Sequence, residues 1–127
     1  MAVLWWLTDR PARDLPVVPA HSMVVNGAHV VTFGVLAALL FLAGDGGLTG
    51  RCLWSVGLTV VYGVLTELNQ ALGANGRVGD PWDAASDAVG GVMFTCALVW
   101  ARSGSRWALW LAVAMLPAAL LTIAMAS

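Results

Sequence analysis

The sequence predicts an all-α integral membrane protein, an up-and-down helical bundle of about four transmembrane helices. Three observations predict it. The first is composition: of 127 residues, 60% are apolar and 10% charged, with a mean hydropathy of +0.83. A water-soluble domain carries about 25% charged residues to cover its surface, and six Arg, no Lys and seven acids are too few here. The second is a set of four apolar runs, each close to the roughly 20 residues that a helix needs to cross a bilayer. The third is that the runs are joined by short polar or Gly-rich connections, which lay neighbouring spans antiparallel. A chain of this length makes one domain. Its net charge of −1 offers no basic stripe, so nucleic acid is not a partner.

The N-terminal 21 residues are read as an interfacial stub. Met1 to Thr8 is apolar but too short to span, and Asp9 to Pro19 holds two Arg, two Asp and three Pro. The short apolar stretch, followed by charges where small cleavage-site residues should stand, argues against a signal peptide. Trp5 and Trp6 are expected in the headgroup zone, where indole rings prefer to sit. The transmembrane domain follows over residues 22–127. Segment A, Ser22 to Ala43, has no charged residue. Segment B, Cys52 to Leu72, has one, Glu67. Segment C, Asp80 to Ala101, has acids only in its first two turns, and segment D, Trp107 to Ser127, carries Pro117, which should kink it. Trp54, Trp82, Trp100, Trp107 and Trp110 fall near segment ends and support these bounds. Cys52 and Cys96 lie in separate runs with no disulfide or metal spacing and read as small apolar side chains.

Orientation is nearly balanced. The stub and the B–C loop hold Arg10, Arg13 and Arg77, and the opposite side holds Arg51, Arg102 and Arg106. With Arg77 set aside as a site residue, the positive-inside rule places the A–B and C–D loops inside and the B–C loop outside.

Polar groups within a span are costly and mark function by default. Segment A carries Ser22, Asn26 and His29 on one face, in its first two turns. Segment B carries Thr59, Gly63, Thr66, Glu67 and Gln70, and segment C carries Asp80, Asp83, Asp87, Gly90 and Gly91. The start of A, the end of B and the start of C share one side of the membrane, so three polar stripes converge at one level beneath Arg77. Segment D offers nothing comparable. The expected pocket comprises His29, Glu67, Gln70, Arg77, Asp80, Asp83 and Asp87. So many carboxylates in a small, dry space need help: either some hold protons, or Arg77 and a bound cation neutralise them. A divalent cation would take oxygen ligands, with Glu67, Asp83 and Asp87 as its candidates.

Glu67-x-x-Gln70, Arg77-x-x-Asp80-x-x-Asp83 and Asp87-x-x-Gly90, preceded by His29 and Phe33 on an earlier helix, together resemble the VanZ-like family. His29, Phe33, Tyr62, Glu67, Gln70, Arg77, Asp83 and Gly90 match its pattern, over about Asn26 to Trp100. Asp87 stands where the family usually has Asn, and Asn26 where an Asp or Lys commonly precedes the His. The family's first membrane helix is missing or reduced to Met1–Thr8, and segment D is appended to the core over residues 22–101. The resemblance implies a multi-pass protein of the bacterial cell membrane, with the acidic loop on the outer face. It also implies an envelope role in teicoplanin resistance or in handling lipid-linked wall precursors, with those precursors or the glycopeptide as partners besides the bilayer. Two other readings stay open. One is a metal-assisted enzyme acting on a lipid or polyprenyl-phosphate headgroup, with His29 as base. The other is a membrane scaffold whose polar cluster only holds the bundle together.

Overall fold

The computed structural model describes residues 19–73 and 80–125, without the side chains of residues 19–22. Four helices follow one another: α1 (Pro19–Ala43), α2 (Leu48–Leu72), α3 (Pro81–Ser103) and α4 (Arg106–Met125). No strand occurs among the described residues. All four are long and apolar enough to cross a membrane, over 20 to 25 residues each. The chain is therefore a multi-pass all-α bundle suited to a lipid bilayer. The expectations for Arg77, for Trp5 and Trp6, and for Met1–Thr8 lie outside the described residues, as does the side chain of Ser22.

The helix ends extend past the predicted segments for local reasons. Pro19 opens α1 within the sequence predicted as stub, its fixed φ being pre-set for a first helical turn. Helix α2 starts four residues before Cys52, because Arg51 ends the apolar run and not the helix. Arg51 instead folds back, its Nε donating to the Gly46 carbonyl at 3.1 Å. Helix α3 starts at Asp80-Pro81, with Asp80 Oδ1 accepting from the Trp82 N–H at 2.9 Å and Pro at the first helical position. It ends at Gly104, where φ is +65° and the N–H bonds to the Trp100 carbonyl at 2.8 Å. That left-handed turn favours glycine, and two residues suffice to start α4.

Helices α1 and α3 run in the same direction and meet along the diagonal of the bundle. Gly90 makes this possible: a Cβ there would lie 2.9 Å from the Val30 carbonyl carbon and 3.0 Å from its Cα. Helix α3 touches all three other helices, whereas α2 and α4 do not touch each other among the described residues. The bundle is thus a rhombus closed across its α1–α3 diagonal. Its inward faces are small or polar, with Ser55, Thr59 and Gly63 on α2 and Ala108, Ala112 and Ala119 on α4. Small residues let backbones approach where lipid supplies no hydrophobic drive. The larger apolar core lies at the Arg end, around Phe41, Val99 and Ala108. Leucines, valines and Trp54, Trp107 and Trp110 point outward, as a lipid-facing surface requires.

Candidate functional site

Three of the predicted stripes meet where the topology brings them. His29 lies ten residues into α1, Asp87 six residues into α3 and Glu67 five residues from the end of α2. At 1.5 Å per residue they lie about 15, 9 and 8 Å from those helix ends, on one side of the membrane. His29 Nδ1 and Asp87 Oδ1 share a hydrogen bond of 3.0 Å, with the Asp87 side chain wholly buried. A charge or dipole at this depth costs least when paired, and the pair closes the α1–α3 diagonal one turn before Gly90. Glu67 Oε2 accepts from the Asp80 N–H at 2.8 Å, tying the end of α2 to the start of α3. Asp83 occupies the first turn of α3, where a carboxylate complements the helix dipole. His29, Glu67, Asp83 and Asp87 lie within electrostatic range of one another.

An aromatic row backs the imidazole. The His29 and Phe33 rings are nearly parallel, with centroids 6.2 Å apart, and Phe33 meets Tyr62 of α2 at 5.9 Å. Gly63, next along α2, leaves room for Asp87, since a Cβ there would stand 3.0 Å from Asp87 Oδ2. Among the described residues, Glu67 Oε1, Asp87 Oδ2 and Ser86 Oγ are buried without a hydrogen-bond partner. Buried polar atoms are nearly always paired, which makes these oxygens at one end of the bundle the candidate contacts of the site.

The structure therefore brings together His29, Glu67, Asp83 and Asp87, with Asp80 beside them as the cap of α3. Gln70 is half-buried nearly one turn closer to the membrane end of α2. Arg77 lies outside the described residues. Among the described residues, no three His, Cys, Asp or Glu side chains are grouped so as to hold a metal ion. Glu67, Asp83 and Asp87 are neighbours and do not form a three-ligand set.

Two polar contacts and one buried hydroxyl escaped the sequence reading. Segment D was expected to contribute nothing, yet Asn26 Nδ2 donates to the Ile123 carbonyl of α4 at 3.2 Å. Carbonyls of a last helical turn lack intrahelical partners, and no side-chain pattern in α4 could reveal that acceptor. Ser55 Oγ and Thr95 Oγ1 share a hydrogen bond of 2.9 Å deeper in the α2–α3 seam. Ser55 continues the Thr59–Gly63–Glu67 stripe by one turn, a signal present in the sequence. Ser86, fully buried beside Asp87, carries no signal beyond its polarity. Comparison of the chain with protein-family models, with curated proteins and with solved structures gives no match.

Proposed function

We propose that the chain is a VanZ-like protein of the bacterial plasma membrane with a role in the cell envelope. It handles lipid-linked wall precursors, or a glycopeptide such as teicoplanin, through the polar pocket at the outer end of the bundle. One observation carries this reading: His29, Glu67 and Asp87 come together from three helices, with one oxygen each of Glu67 and Asp87 buried and without a partner among the described residues. Such an arrangement in hydrocarbon is costly, and it is commonly kept for what it binds. Of the residues that carry the resemblance, the His29 and Phe33 rings lie nearly parallel, Phe33 meets Tyr62 at a tilt, and a Cβ on Gly90 would run into the Val30 backbone.

The test is teicoplanin and vancomycin susceptibility in a sensitive Gram-positive host expressing the wild type, Glu67→Ala or Arg77→Ala, with membrane levels matched. Resistance to teicoplanin in the wild type, lost in both variants, is the expected outcome. Unchanged susceptibility with well-expressed wild type would remove the resistance role.

The scaffold reading has an observation of its own in the tie from Glu67 to the Asp80 N–H, which by itself would hold α2 against α3. Asp87→Asn separates the two readings. An Asn oxygen still accepts from His29, so a binding pocket keeps its melting temperature in detergent and loses activity. A purely structural cluster loses melting temperature when the charge goes.

A further inference from the structure

The end of the bundle away from the acidic pocket is built from the last turns of α1 and α3 and the first turns of α2 and α4. Both of its loops, 44–47 and 104–105, are described in full, and the undescribed residues adjoin helix ends at the opposite face. This end holds Arg51, Arg102 and Arg106 against one acid, Asp45. Among the described residues none of the three arginines is in an ion pair. Two helix C-termini and two N-termini meet here, so their dipoles offset one another and the side-chain charges remain.

Two of the guanidinium groups are set against the same turn of α1. Arg51 donates from Nε to the Gly46 carbonyl at 3.1 Å. Its stem lies beside Gly44, with Cγ 3.6 Å from where a Cβ would stand. The Arg102 guanidinium carbon is 5.7 Å from the centroid of the Phe41 ring, within the range of a cation–π contact. Phe41 is wholly buried against Val99 and Ala108, so that ring is a fixed platform. Phe41 and Gly44 are three residues apart and share a helix face. Arg51 and Arg102 therefore flank one turn, and among the described residues neither donates from its Nη atoms. Trp54, Trp100, Trp107 and Trp110 are exposed within two turns of the same end, the level at which indole rings meet lipid headgroups.

We propose that this end of the bundle binds the phosphodiester of an anionic phospholipid, held by Arg51 and Arg102 over the last turn of α1. Arg106, just across the Gly104 turn, adds charge without contact. The inference concerns the opposite face from the acidic pocket and does not rest on its reading. A guanidinium presents a planar fork of donors that matches phosphate oxygens, and basic sites between membrane helices take anionic headgroups. The occupant is a lipid because the two arginines stand at the rim of lipid-facing helices, inside the tryptophan collar. A zwitterionic lipid brings its own cation, which the arginines repel, so the site favours a headgroup with net negative charge.

The test follows thermal unfolding of the full chain in phosphatidylcholine nanodiscs, plain or doped with phosphatidylglycerol, at low ionic strength. A further sample in plain nanodiscs receives inorganic phosphate. Phosphatidylglycerol should raise Tm by several degrees, because a ligand that binds only the folded state stabilises it, and added salt should shrink the rise. Arg102→Gln and Arg106→Gln each remove one charge, so the pair separates a site from a diffuse field. Arg102→Gln should lose most of the rise and Arg106→Gln only a minor part, each measured against the same variant in plain nanodiscs. Equal losses in the two variants overturn the site, leaving general attraction between a basic end and an anionic bilayer. A wild type with the same Tm in both nanodiscs overturns it too. An equal rise with inorganic phosphate overturns the lipid as its occupant. Should Arg102→Gln not fold, Arg51→Gln takes its place in the comparison with Arg106→Gln.

Discussion

His29 and Asp87 are each other's partners in a place where neither could find water. Truncating one member of a buried pair leaves the other uncompensated, which costs about 3 kcal/mol or more. His29→Ala should therefore lower detergent stability by about that amount, measured by thermal or denaturant unfolding. Asn26→Leu should cost less, about 0.6 kcal/mol for the lost donor to the Ile123 carbonyl, the average for a hydrogen bond between membrane helices. If Asn26→Leu proves the more damaging change, the His29–Asp87 pair is not the principal polar tie. The spacing of Asn26 and His29 was legible because three- and four-residue intervals repeat a helix face. Their partners were not, because pairing depends on helix rotation and separation, which no single span encodes.

Glycine placement decides how the helices meet. Gly90→Ala puts a methyl group into the Val30 backbone, and overpacking of this kind costs about 1–3 kcal/mol. Gly57 on α2 has open space around its missing Cβ, so Gly57→Ala should be neutral or stabilising by up to about 1 kcal/mol. Unfolding of the two variants side by side checks both signs, and equal effects would contradict the diagonal contact. The four spans themselves were readable, since length and an uncharged run dictate a crossing helix whatever its neighbours. The ends were less so: charge marked where lipid stops, while Pro19, Leu48 and Ser103 mark where helix begins or stops. The pocket level was readable from topology, because alternating spans force the start of α1, the end of α2 and the start of α3 together. The cap formed by Asp80 and its tie to Glu67 needed the backbone.

Across the whole molecule, the rhombic arrangement makes a directional prediction. In a background with Cys52 and Cys96 replaced by Ala, Ser55→Cys with Thr95→Cys should form a disulfide readily on mild oxidation, since their oxygens are 2.9 Å apart. A cysteine pair between α2 and α4 should not, because those helices do not meet. Efficient α2–α4 crosslinking would disprove the closed α1–α3 diagonal. The same diagonal sets an order of assembly. A nascent chain delivers its N-terminal helices first, so α1 and α2 enter the membrane carrying His29 and Glu67 before either has met α3. The helix that pairs with both, and that bridges to α4 as well, is synthesised third. Until α3 arrives, the first hairpin holds two polar side chains in hydrocarbon without the partners that α3 supplies, which is costly. The residues that make the pocket are thus also the ones that report whether the protein has finished folding.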